Sequence, residues 1–214
     1  MKKIHTSSQL QDYLDMELSW RIKEIANLKT AVKSSKNLSE QTIIRAGLAL
    51  LYAHWEGFIK NGSEAYVNYV NCQGLKYKEL NSCFIVLGLK KSLNDLGASR
   101  KSKSNIVAID FILNQLEERS QLKVEAAINT ESNLSSEVFA NILLAIGLDA
   151  SEYETKYNLI DESLLRRRNH IAHGEFIEVG SSDWSLLADE ILGLLRKFKT
   201  DIENSSSLES YKIS

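Results

Sequence analysis

Apolar residues recur in steps of three and four along most of this chain, and that period predicts helices rather than strands. Leu10, Leu14, Leu18, Ile22, Ile25, Leu28 and Val32 form the first such stripe, so a helix is expected from a cap at Ser7 or Ser8 to about Ser34. Trp20 lies off the stripe and reads as a second packing surface. After a polar break, with Ser39 as cap, a long central helix is expected over Glu40–Asn71, ending before Gly74. Its large residues, Ile43 through Ile59, cover one arc, while Ala46, Ala49, Ala53 and Gly57 line a narrow strip on another. That pattern predicts packing from two directions, with a neighbouring backbone close to the small strip.

Farther along, Lys76–Leu96 holds the run Phe84–Leu89 and predicts a buried helix stopped at Gly97. Shorter helices are expected over Ile106–Leu116, Gln121–Asn129 and Ser135–Gly147, and a longer one over Asn158–His173. Glu175–Ser182 reads as a loop with room for one short extended piece. Trp184, Leu187, Ile191, Leu194, Phe198 and Ile202 define the last helix. The expected fold is an all-α bundle of long antiparallel helices with extra short ones. It is read as one domain over 1–214, with an ordered core over 7–203 and a frayed tail over 204–214.

Composition sharpens this picture in three ways. There is no proline and only ten glycines, which removes the usual helix breakers, and a 43% hydrophobic content supplies a sizeable core. The net charge of −2 gives no global positive field, so a nucleic-acid partner has to be met by a local patch. Cys72 and Cys83 stand apart from any Cys-x-x-Cys or Cys/His cluster, so neither a zinc site nor a disulfide framework is expected. No run approaches the roughly 20 apolar residues needed to span a bilayer. The expectation is a cytoplasmic protein with no membrane contact, no metal and no cofactor.

The chemistry gathers at Leu164–Gly174, where Arg166, Arg167, Arg168, His170 and His173 fall within eight residues, half the chain's histidines among them. On a helix wheel Arg168 falls inside the arc of Ile160, Leu164 and Ile171. A guanidinium there is costly unless it meets a partner. Glu56, bordering the small strip of the central helix, is one candidate, with Lys60 four residues on as its alternative mate. Asn169 and His173, four apart, share one flank, and Gly174 supplies the stop. His54, among large apolar residues, reads as support. Basic residues in a last helical turn also simply complement the helix dipole. The basic stretch Ala98–Ser104 reads either as a solvated loop or as a second phosphate contact.

Arg168-Asn169-x-x-x-His173-Gly174 resembles the Arg-x4–6-His motif of the HEPN superfamily of helical RNases. The helix Arg45–Ile59, with Ala53-His54-Trp55-Glu56-Gly57-Phe58, and the opening Glu17-Leu18-Ser19-Trp20-Arg21 extend the resemblance to the MAE-type HEPN-like nucleases over roughly residues 7 to 200. The resemblance implies a metal-independent endoribonuclease acting as a homodimer, in a toxin–antitoxin or phage-defence setting with a cognate antitoxin or defence partner. Arg168, His173 and Asn169 are then the expected catalytic residues. Arg166, Arg167 and His170 are the expected RNA contacts, with Glu56 and His54 in support. Arg166, Arg167 and Arg168 all satisfy the spacing; Arg168 is taken for its place on the apolar arc and for the Asn169 that follows it. The rival reading is a HEPN-like dimer that binds a nucleotide, RNA or protein without cutting.

Overall fold

The computed structural model describes residues 3–98, 101–123 and 133–213. Its frame is three long helices: α1 (Ser7–Ser34), α2 (Asn37–Cys72) and the last helix, α7 (Ser181–Ser207). They pack mutually. Between α2 and α7 in sequence lie α3 (Ser82–Ala98), α4 (Ser102–Gln115), α5 (Ser136–Ala145) and α6. In α6 a π-helical Leu159–Arg166 runs directly into an α-helical Arg167–Ala172. Two 3-10 turns, Tyr77–Glu79 and Ser151–Lys156, join the pieces. Among the described residues there is no strand, only the isolated bridges Lys76 to Arg119 and Leu80 to Lys212. The fold is all-α.

The stripes seen in the sequence are the core. Leu10, Leu14, Leu18, Ile25 and Val32 of α1 are buried, as are all six marker residues of α7. Thr6 rather than Ser7 or Ser8 caps α1, accepting the Gln9 amide at 3.2 Å. α2 is lined by residues wholly inside the bundle: Ile44, Leu48, Leu51, Trp55, Phe58 and Ile59 are all inaccessible to solvent. Gly47 and Gly62 let α7 come close, since a Cβ at either would stand 3.0 Å from the rings of Trp184 and Phe198 respectively.

Several expectations change. The strip Ala46, Ala49, Ala53 and Gly57 is only partly covered: Ala46 and Ala53 are exposed, whereas Gly57 faces α1, where a Cβ would stand 3.1 Å from the Arg21 guanidinium. Large residues win the core because each buries far more apolar area than an alanine, so α6 settles on the Tyr52 flank instead. The tail does not fray as far as 213. Tyr211 is 1% exposed against Tyr69, and the backbone of Asn81 donates to the Tyr211 carbonyl at 2.9 Å. Helix α3 begins at Ser82, after the 3-10 turn, not at Lys76. The helix expected over Gln121–Asn129 falls mostly outside the described residues, and 121–123 are not helical.

A polar knot is buried between α1 and α2. Arg21, 3% exposed, donates from Nη1 to the Glu17 carbonyl at 2.6 Å and to Glu17 Oε2 at 2.8 Å, and Asn61 Nδ2 donates to the same carboxylate oxygen at 2.8 Å. The guanidinium lies 4.4 Å from the Trp20 ring, which stays 46% exposed. His54, 2% exposed, has Nε2 at 2.8 Å from Glu24 Oε2, close in distance but too poorly aligned to count as a hydrogen bond. Burial therefore dominates over the attraction of Glu24, and it holds the imidazole below its ordinary pKa.

A histidine whose folded pKa is depressed is kept neutral by the fold, so the unfolded chain binds the proton first as pH drops. Thermal stability is expected to fall as pH is lowered below the ordinary histidine value of 6.5. Melting curves of wild type and His54→Gln over that range test this, since the variant loses the part of the slope that His54 contributes.

Candidate functional site

The motif helix reaches its position through an unusual start. Asp161 accepts both the amide of Ser136 at 2.8 Å and its hydroxyl at 2.5 Å, tying the first turn of α6 to the N-terminus of α5. Ile160 and Leu164 are buried. The π-winding of Leu159–Arg166, with its i→i+5 pattern, is a rare form that occurs mostly at functional sites. Ordinary α-winding resumes at Arg167, so the three consecutive arginines leave the helix in three directions.

Arg166 faces a cleft of about 360 Å³ lined by Asn169, His170, His173 and Glu175, with Asp161, Glu162 and Leu165 completing the wall. Arg167 lines a different cleft of about 550 Å³ against α7, with Lys156, Asp183 and Glu190. Arg168 turns inward. Its Cζ sits 3.7 Å from the centroid of the Tyr52 ring, whose hydroxyl accepts the Leu134 amide at 2.6 Å. Burial, then the neighbouring Glu56, pushes the Tyr52 hydroxyl up in pKa, against the Leu134 amide and Arg168. The partner required by the wheel argument thus includes an aromatic face of α2. Glu56 is beside that ring, and His54 is on the α1 side of α2, in the polar knot and away from the cleft.

The end of α6 is built to hold the cleft open. Gly174 adopts φ +80, the left-handed conformation in which glycine escapes the Cβ penalty. Its amide donates to the Ile171 carbonyl at 3.1 Å and that of Glu175 to the His170 carbonyl at 2.9 Å, the paired bonds of a Schellman cap. The cap folds Glu175 back on its own helix, where its carboxylate pairs with Nδ1 of His170. His173, the cap residue, is exposed at the cleft edge. Arg166 pairs with Glu162 at 2.7 Å. On the far side, Arg45 of α2 donates from Nη2 to the Glu175 carbonyl at 2.9 Å. Among the described residues no three His, Cys, Asp or Glu side chains converge on a point as metal ligands would.

The cleft thus collects Arg166, Asn169, His170 and His173 on one face of α6, at i, i+3, i+4 and i+7, while Arg167, Arg168, Glu56 and His54 lie elsewhere. Sequence reading missed Glu175, Tyr52 and Arg45. Only Glu175 had a local signal, because a glycine cap returns the second residue after it to the last turn.

A family model for RiboL-PSP-HEPN matches residues 16–204. The chain belongs to the RiboL-PSP-HEPN family. The match spans all three long helices of the frame and the whole of the motif helix. Membership of a HEPN family points to an RNA-related, nuclease-like function. No curated protein and no solved structure matches the chain. No helix among the described residues is long and apolar enough to cross a membrane.

Within this RiboL-PSP-HEPN chain, the two outer arginines have opposite mechanical roles. Arg168→Ala removes a partly desolvated cation–π contact and is expected to cost about 1–2 kcal/mol in chemical unfolding. Arg166→Ala breaks only an exposed ion pair, so its unfolding curve is expected to overlay that of wild type.

Proposed function

We propose that the protein is a metal-independent endoribonuclease that cleaves RNA through attack of the ribose 2′-hydroxyl. The observation that carries this reading is the shared face of Arg166, Asn169, His170 and His173, an imidazole-rich cleft edged by a guanidinium. Such cleavage needs a base for the 2′-hydroxyl, an acid for the leaving 5′-oxygen and a cation for the charge that builds on phosphorus. Histidine, with an unperturbed pKa near 6.5, can serve in either protonation state at neutral pH.

In this reading His173 is the acid/base, exposed where a substrate can reach it. The 2′-oxygen forms its bond to phosphorus while its proton passes to one His173, and the bond to the 5′-oxygen breaks as that oxygen takes a proton from a second. The products are a 2′,3′-cyclic phosphate and a 5′-hydroxyl. Asn169 orients His173 or a non-bridging oxygen. Arg168, held on Tyr52 at the inner side of the helix and outside the cleft lining, acts by fixing the rotation that presents Asn169 and His173 to the substrate. Arg166 and His170 are phosphate contacts whose present partners, Glu162 and Glu175, hold them only through exposed pairs. Arg167 is a more distant contact on the α7 side.

One His173 per chain is short of the two groups required, and a C2 homodimer supplies the second by bringing two motif helices to one groove. It also concentrates positive charge in a chain whose net charge is −2. The biological setting that fits is a toxin or phage-defence effector in the cytoplasm, restrained by a cognate antitoxin or defence partner.

The test is cleavage of single-stranded RNA in EDTA. Wild type is expected to leave 2′,3′-cyclic phosphate ends, to spare DNA, and to be blocked by a 2′-deoxy substitution at the cut site. His173→Ala is expected to lose turnover while keeping its fold, Arg168→Ala to lose turnover, and Arg166→Ala to lose roughly tenfold. Activity removed by chelator and restored by a divalent metal sinks the mechanism, and RNA binding without turnover moves the protein to the non-catalytic binding reading. Sedimentation is expected to give a dimer at tens of micromolar; a monomer there, with full activity, removes the two-histidine scheme.

A further inference from the structure

The loop that follows the motif helix carries a feature that neither packing nor capping explains. Residues 175–180 connect the Schellman cap to α7 in extended form, and burial alternates along them: Ile177 is half-buried and Val179 is 5% exposed, while Phe176 and Glu178 face solvent. Outward positions in an alternating segment are ordinarily polar. Glu178 obeys; Phe176, 66% exposed, does not.

The exposure is not slack in the loop, because both ends are pinned to α2. Arg45 Nη2 holds the Glu175 carbonyl at 2.9 Å, and the Gln41 side chain bonds Val179 in both directions, donating to its carbonyl at 3.2 Å and accepting its amide at 3.3 Å. The Arg45 guanidinium lies 5.4 Å from the Phe176 ring centroid. A ring held this way, with a cation at one side and its area left open, gains little for the fold. It stands next in sequence to Glu175, which lines the cleft, and three residues after His173.

We propose that Phe176, outside the cleft lining but next in sequence to Glu175 at its edge, is a base-stacking subsite that takes a nucleobase of a single-stranded RNA whose phosphate enters the cleft. The proposal rests on the endoribonuclease reading above. Stacking suits this position because it asks for one open aromatic face and no hydrogen-bond code, and every nucleobase can provide its half. Its exposed sequence neighbours Glu175 and Glu178 are charged and its ring contact is the Arg45 guanidinium, a setting more polar than the core of a protein interface. Arg45 adds a positive edge to the subsite, which favours a strand carrying phosphates.

The test uses full-length His173→Ala protein, which is expected not to turn over, and a mixed-sequence single-stranded RNA of about ten nucleotides, within the usual range of single-strand site sizes. Adding Phe176→Ala is expected to weaken binding by about tenfold or more, the scale of one lost base–aromatic stack. Phe176→Trp is expected to restore binding and to show a fluorescence quench on RNA addition beyond that of the parent, whose Trp55 and Trp184 are fully buried and whose Trp20, 46% exposed, sets the background to be subtracted. In the otherwise wild-type protein, Phe176→Ala is expected to lower cleavage by a similar factor. Binding and cleavage unchanged by Phe176→Ala overturn the subsite while leaving the ribonuclease reading intact. A parent that binds no RNA, with wild type that cuts none, overturns the ribonuclease reading and the subsite with it. A dimer that becomes a monomer on Phe176→Ala assigns the ring to a protein contact instead, and also overturns the subsite.

Discussion

One guanidinium lying on one aromatic ring sets the rotation of the motif helix, and the cleft follows from that rotation. With Arg168 at 3.7 Å from the Tyr52 centroid, helix geometry leaves Asn169, His170 and His173 little choice but the outer side. Tyr52 is itself fixed, 4% exposed and bonded through its hydroxyl to the Leu134 amide. Rotating α6 by a single residue would exchange Arg168 for Arg167 over the ring and turn His173 away from its cleft. The π-wound turn upstream is the physical device that makes this register possible. Ile160 and Leu164 stay buried and Asp161 stays on the α5 cap, while the α-wound turn beyond starts from its own angle.

That arrangement depends in turn on α2, which has to be rigid on both flanks. One flank carries Tyr52 and Arg45, which hold the motif helix and the loop after it. The other carries Asn61, which joins the Arg21–Glu17 pair of α1, and His54, which faces Glu24 of the same helix. Desolvating a guanidinium is expensive, and the knot offsets part of that cost through Nη1, which meets a carbonyl and a shared carboxylate, and through the Trp20 ring, while the buried Nε has no hydrogen-bond partner. Such a pair adds less to stability than an apolar contact of equal volume, but it admits fewer alternative packings. Sliding α1 along α2 by a turn would carry Arg21 and Glu17 together but break the Asn61 bond to Glu17 and move the guanidinium off Gly57 and the Phe58 ring, so the register of the two helices is specified rather than merely favoured.

The parts of this structure legible in the sequence are those with a local or periodic cause. The stripes of α1 and α7 were readable because a three-and-four period leaves one solution, and Gly174 because a glycine after a basic last turn marks a helix stop. The inward turn of Arg168 was readable as a clash between charge and apolar arc. What met it was not. A carboxylate such as Glu56 is the usual expectation for a buried cation, whereas a tyrosine face is a partner only when tertiary packing brings it within stacking range. The strip of Ala46 and Ala53 misled for a related reason: small residues permit close approach but gain little from it, so the surrounding large side chains decided where the neighbours went. The Tyr211 anchor was hidden because its contacts are more than a hundred residues away in sequence.

The cleft mixes signs, with Arg166, His170 and His173 sharing its lining with Asp161, Glu162 and Glu175. Arg166 and His170 are both paired, but with Glu162 and Glu175, which are more than half exposed. Exposed pairs are worth little and exchange readily. They keep like charges from repelling one another across the empty cleft, and a phosphate, with more negative charge and better bidentate geometry, can displace either carboxylate at small cost. Arg168 is different in kind, because its ring contact and partial burial tie its position to the fold. The cleft therefore presents exchangeable groups, Arg166 and His170, on a helix whose rotation is fixed from its inner side by Arg168, so a substrate can be admitted by the former while the geometry around His173 stays set by the latter.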